Sequence, residues 1–121
     1  MEIGPLMKIH TYQGEDFAVM LSTEHWRVGL LRTSERFVKT GIWERHLKTV
    51  EVHVLLCGQA TLYVKDEAGT EQALPMVQGT VYEVAPAEWH HVTVSDDAVV
   101  LVVEDADTSK ENSEKSLNYY D

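Results

Sequence analysis

Glu44, His46 and Glu51 are the residues of this 121-residue chain whose types and spacing could do chemistry together. In an extended segment Glu44 and His46 stand two apart, so their side chains leave the same face and converge on one point. Glu51 follows five residues later, at the start of the next apolar run. Far downstream, Trp89-His90-His91-Val92 offers two adjacent imidazoles, which point to opposite faces if they lie in a strand; only one of them can line the same cavity. Imidazole and carboxylate ligands, with solvent completing the shell, suit Fe(II), Mn(II), Zn(II), Ni(II) or Cu(II), and a site with open positions is a reactive one. A lone His or Glu in a β-domain is ordinarily a surface or hydrogen-bonded residue, so the arrangement carries this reading and no single residue does.

Such a site needs rigid strands. From Phe17 onward the chain is a series of short runs rich in Val, Leu, Thr and aromatics, punctuated by Gly, Asp and Pro, the pattern of an all-β sandwich or barrel. The runs are Phe17–Ser22, Trp26–Thr33, Gly41–His46, Thr49–Leu56, Ala60–Val64, Glu71–Leu74, Thr80–Val84, His91–Ser95 and Val99–Glu104. Asp66-Glu67-Ala68-Gly69 reads as a hairpin loop with Gly at a positive-φ position, and Ser95-Asp96-Asp97 as a second tight connection. In the run Val50–Leu56, Val50, Val52, Val54 and Leu56 form one face, while Glu51, His53, Leu55 and Cys57 form the other. Both faces are largely apolar, as in a strand covered on both sides. Glu51 and His53 are then buried polar groups in need of a partner, such as a metal ion or a bound ligand.

Composition bounds the rest. With 44% hydrophobic and 25% charged residues the chain is one ordinary globular domain, large enough to stand without disulfides or a structural metal. The single cysteine, Cys57, lies in an apolar run and reads as a small buried thiol. A formal charge of −10 repels phosphate backbones and anionic lipids, so no nucleic acid and no membrane is expected as a partner. The N-terminus MEIGPLMKIH lacks the basic head and apolar stretch of a signal peptide, and the apolar run Ala98–Val103 is too short to cross a bilayer; a cytoplasmic location is expected. Basic residues concentrate between Arg27 and Lys48, where an anionic small molecule could find a local positive field. The acidic tail, 105–121, has helix-forming content over Thr108–Leu117 and is expected as a short helix or a disordered segment.

The spacing Glu44-x-His46-x4-Glu51-x6-Gly58 resembles the first motif of the cupin family, G-x5-H-x-H-x3-4-E-x6-G. The stretch Gly79-x5-Ala85-x-Ala87-x2-His90 resembles the second, G-x5-P-x-G-x2-H, and the 20 intervening residues fall in the usual range for small cupins. Glu44 stands where the family has its first histidine, alanines replace the proline and second glycine of the second motif, the opening glycine is missing, and a Lys stands at position 48. The resemblance covers 41–104. It implies a small double-stranded β-helix, or jelly roll, over residues 1–104, with Glu44, His46, Glu51 and His90 as metal ligands pointing into the barrel mouth. Two histidines and two carboxylates favour Fe, Mn, Zn or Ni over copper. Cupins commonly pair as dimers, and a homodimer would cover the outward valine face.

Around the mouth we single out Trp26, Trp43, Tyr82 and Trp89 as aromatic walls, Arg45 as a grip for a carboxylate and His53 as an acid, base or orienting group. The expected function is that of a small metal-binding cupin acting on or binding a small polar metabolite, sugar-like or carboxylated, with isomerase, lyase or oxygenase chemistry open to it. The alternative is a non-catalytic ligand-binding cupin in which Glu44 and Lys48 form internal ion pairs where a metal once sat. A third reading is a structural module whose acidic tail docks on a basic protein.

Overall fold

A computed structural model describes residues 2–3, 6–38, 42–107 and 113–116. Twelve strands occur among them, every pairing antiparallel. A small hairpin joins β1 (Glu2–Ile3) to β2 (Met7–Lys8). One five-stranded sheet runs in the order β3 (Phe17–Ser22), β4 (Trp26–Leu31), β11 (Val99–Asp105), β6 (Glu51–Cys57), β9 (Val81–Val84). The other runs β12 (Ser113–Ser116), β5 (Trp43–His46), β10 (Trp89–Val94), β7 (Ala60–Lys65), β8 (Glu71–Pro75). Strands distant in sequence are neighbours in space, and the two sheets close on one core as the expected jelly roll. The only helical turn among the described residues is a 3-10 turn at Glu35–Phe37. No helix there is long and apolar enough to cross a membrane.

Alternation decides what enters the barrel. In β6 the inward face carries Glu51, His53 and Leu55, exposed by 5%, 3% and 2%, while Val52 and Val54 are half-buried and Leu56 is exposed on the other face. The face with the polar residues therefore faces the interior. Its partners repeat the pattern: Val100, Val102 and Glu104 in β11, and His90, Val92 and Val94 in β10, are all buried. In register, Val100 lies opposite Leu55 and Val102 opposite His53, so both strands turn from apolar to polar in the same direction. One end is filled with Leu55, Ala60, Met76, Val94, Ala98 and Val100; the opposite end collects the imidazoles and carboxylates.

Two expectations are corrected here. Cys57 is exposed rather than buried, because β6 ends at it and its thiol reaches out to the Asp97 carbonyl at 3.5 Å. The tail is not helical where it is described: Ser113–Ser116 forms β12 and pairs with β5, so the domain extends past residue 104. Helix-forming side chains lose there to the backbone hydrogen bonds offered by an open sheet edge. Residues 108–112 and 117–121 of the expected helix lie outside the described residues.

Turns carry the left-handed residues. Gly69 (φ 87°) closes the Asp66 loop as expected, its N–H donating to the Asp66 carbonyl at 3.0 Å. Gly58 (φ 76°) follows β6, and a Cβ there would stand 2.5 Å from the Ala98 Cα. Ala87 is left-handed too (φ 65°), and it occupies the place of the second glycine in the second motif. Its N–H donates to the His46 carbonyl at 2.7 Å, which holds that conformation. An L side chain in this region costs about 1 kcal/mol relative to Gly. Ala87→Gly is therefore expected to raise stability by up to about 1 kcal/mol, and Gly58→Ala, blocked by backbone as well as strained, to lower it by ~2 kcal/mol or more. Guanidinium midpoints of the two variants check both signs.

Candidate metal centre

Four strands deliver the site. β5 contributes Glu44 and His46, two apart on one face; β6 contributes Glu51 and His53; β10 contributes His90, which sits opposite Glu44 in register; β11 contributes Glu104. His46 Nε2 lies 3.9 Å from Glu44 Oε1, 3.4 Å from Glu51 Oε2 and 3.3 Å from Glu104 Oε2. His90 Nε2 lies 2.8 Å from Glu51 Oε2. One ligand atom from each of Glu44, His46, Glu51 and His90 falls within 4.8 Å of all the others. An ion with bonds of about 2.1 Å holds neighbouring ligand atoms roughly 3 Å apart and opposite ones roughly 4.2 Å apart, so the cluster is of the right size.

The donor set fits a divalent ion on two further counts. His46 Nε2, Glu51 Oε2 and His90 Nε2 are all buried and make no hydrogen bond of proper alignment, although they face one another. Buried polar atoms left in this state are costly, and a shared cation would satisfy all three. The ring orientation fits as well: His90 Nδ1 donates to the Glu88 carbonyl at 3.2 Å, which turns Nε2 toward the cluster. Glu44 is the outermost of the four, with 36% of its side chain exposed, so the site opens to the cavity mouth.

Electrostatics point the same way. Burial alone would raise the Glu51 carboxyl, but the charge of His90, then of His53 and His46, holds it well below the usual carboxylate range. Burial alone would lower His90, yet Glu51 and more distantly Glu44 push it above the usual imidazole range. The proton of His90 thus occupies charge space that a cation would take. His53 is lowered, chiefly by burial, and is a neutral imidazole 3.6 Å from Glu51 Oε1.

All four expected ligands come together, and His90 rather than His91 joins them. His91 is engaged instead by the Tyr63 ring, stacked at 4.3 Å, and by the Trp43 ring, edge-on at 4.5 Å. His53 also faces the cavity, a space of about 480 Å³. Arg45 does not. Lying between Glu44 and His46, it takes the opposite face of the strand, over the Trp89 ring at 4.4 Å and paired with Glu114 at 3.0 Å. Lys48 is likewise away from Glu44, paired with Asp107 at 2.8 Å, so it does not stand in for an ion.

Of the expected aromatic walls, Trp43 borders the cavity, Trp26 is exposed on the outer face, Trp89 lies under Arg45, and Tyr82 packs on the core with its hydroxyl accepting the Val77 N–H. Phe17 and Phe37 line the cavity in their place.

Sequence reasoning missed Arg27 and Glu104, which form an ion pair of 3.3 Å inside the cavity. The signal was there: each is a charged residue at an inward position of an otherwise apolar strand, Arg27 in line with Gly29 and Leu31, Glu104 with Val100 and Val102. Burial first, and Glu51 next, raise the Glu104 carboxyl to about 7 against the pull of Arg27. A carboxyl raised on folding binds more protons folded than unfolded between its two pKa values, so it lowers stability as pH climbs through that window. In metal-free protein, Glu104→Gln is expected to gain stability over the parent progressively between about pH 4.5 and 7, with a plateau above. Denaturant midpoints across this range check it, and a difference that does not change with pH contradicts it.

No protein-family model matches the chain, and no curated protein does. Solved structures do. A Streptomyces PAC13 variant with uridine is 14% identical over 94% of this chain and 95% of its own, with a TM-score of 0.66. A cupin-2 domain protein from Shewanella frigidimarina is 16% identical over 78% and 84%, with a TM-score of 0.58. Oxalate decarboxylase from Bacillus subtilis is 17% identical over 88% of this chain, with a TM-score of 0.60, and this chain spans only 30% of its length. Two facing antiparallel sheets, the ligand spacing of both motifs and these neighbours lead to one conclusion: the chain has the cupin fold.

Proposed function

We propose that this protein holds one divalent transition metal on Glu44, His46, Glu51 and His90, and uses it to bind or transform a small polar metabolite, sugar-like or carboxylated. The observation that carries the reading is the convergence of four ligand atoms, three of them buried without a hydrogen bond. Bound there, the ion would supply Lewis-acid polarisation of a ligand oxygen. The chain's own residues do the rest. Neutral His53 lies against the second oxygen of Glu51 and steadies it. Glu104, 3.3 Å from His46 Nε2, is placed to take or give a proton beside the cluster. Arg27 has a buried Nε without a partner at the same cavity, a donor suited to a carboxylate or hydroxyl oxygen. Phe17 and Phe37 offer flat apolar faces against which C–H groups of a ligand pack.

Elemental analysis of tag-free protein tests this. About one transition metal per chain is expected, abolished by Glu51→Ala or His90→Ala and retained by Arg45→Ala. Protein that stays metal-free under metal-replete conditions, with those variants altering only stability, would favour the non-catalytic ligand-binding reading. A thermal-shift screen of sugars, keto acids and phenols on the loaded protein identifies the ligand class in either case.

The outer face of the β6 sheet bears on assembly. Leu21, Trp26, Leu56 and Val81 are 38% to 65% exposed, and Val52, Val54, Leu101 and Val103 between them are only half-buried. We infer that a second copy of the chain covers this face, since a two-fold axis matches an apolar patch to itself. Sedimentation should find a dimer, and Val81→Lys should shift it to monomer without loss of metal.

A further inference from the structure

β5 carries two of the four ligands, and the ladder holds it unequally. On one side β10 registers with it at a single pair, His90 opposite Glu44. On the other, β12 registers along its whole length: Ser113 opposite His46, Glu114 opposite Arg45, Lys115 opposite Glu44 and Ser116 opposite Trp43. The segment that holds the ligand strand in place thus comes from the acidic tail, outside both motifs.

Side chains reinforce the ladder. Ser113 Oγ lies 2.8 Å from His46 Nδ1, and Ser113 borders the cavity. Glu114 pairs with Arg45, whose guanidinium lies over Trp89, the residue before His90. The tail is therefore tied to β5 and, through Arg45, to β10, the strands of His46 and His90.

The two imidazoles are also arranged alike. Each turns Nε2 to the cluster and gives Nδ1 to a partner, the Glu88 carbonyl for His90 and the Ser113 hydroxyl for His46. A carbonyl can only accept, which fixes the proton of neutral His90 on Nδ1. An imidazole that ligates through Nε2 needs its proton on Nδ1 and an acceptor for it, and His46, 8% exposed, has the Ser113 hydroxyl at that position.

We propose that the C-terminal strand is part of the metal centre, with Ser113 as a positioning residue that accepts the His46 Nδ1–H and aims Nε2 at the ion, while β12 clamps β5. This rests on the metal reading above and adds that ion affinity is set partly by a segment neither motif contains.

The test uses the full chain, with Co(II) as the probe. Competition against a chelator is expected to show about tenfold weaker Co(II) binding for Ser113→Ala, and affinity within about twofold of the parent for Ser113→Thr, which keeps the hydroxyl. The melting temperature of each metal-free variant establishes that it is folded. Unchanged Co(II) affinity in folded Ser113→Ala, or a loss in Ser113→Thr equal to that in Ser113→Ala, overturns the role of Ser113 while leaving the metal reading intact. A parent protein that takes up no Co(II) overturns both.

Discussion

Everything at the polar end of this barrel follows from one constraint: carboxylates cannot share a water-poor space without a positive partner. Glu44, Glu51 and Glu104 all bring an oxygen within 3.9 Å of a single nitrogen, His46 Nε2. Removing such charges from water is unfavourable by several kcal/mol each unless they are paired. Without an ion, protons and Arg27 supply the compensation, which is why His90 holds its proton too tightly and Glu104 gives its own up too late. With an ion, the proton on His90 becomes unnecessary. The same crowding sets the protonation of these groups and suits the cluster to a cation.

The barrel imposes that crowding through its core. Val100, Val102 and Leu55 are within 2% of complete burial, and they lock β6 and β11 in one register. A slip by one residue would send Glu51, His53 and Glu104 to the outer face and the valines inward. Apolar packing at one end therefore positions charge at the other. The left-handed Ala87 belongs to the same scheme, since its N–H ties the loop before β10 to the carbonyl of His46.

The departures from the cupin pattern look less severe in three dimensions than along the chain. Glu44 at the place of a histidine still brings an oxygen to the cluster, from the rim and with solvent access. Alanine at the glycine place keeps the left-handed turn. Lysine at position 48 turns away to Asp107 and leaves the interior untouched. Each substitution changes chemistry at its own position while the backbone path survives.

Spacing along the chain was enough to locate the strands, their faces and the four residues that converge, because a period of two is a local property of extended backbone and motif distances survive sequence drift. The same alternation should have excluded Arg45, which lies between two inward residues, and should have flagged Glu104 and Arg27 on apolar faces. What no local pattern could supply was which polar end meets which. Ser113 lies 67 residues from His46, and its stretch reads as helix or coil until an exposed edge of β5 offers it hydrogen bonds. Pairing between distant strands depends on edges left open by the rest of the fold, so the tail's place, the Arg27–Glu104 pair and the cavity's aromatic walls were decided only by tertiary structure.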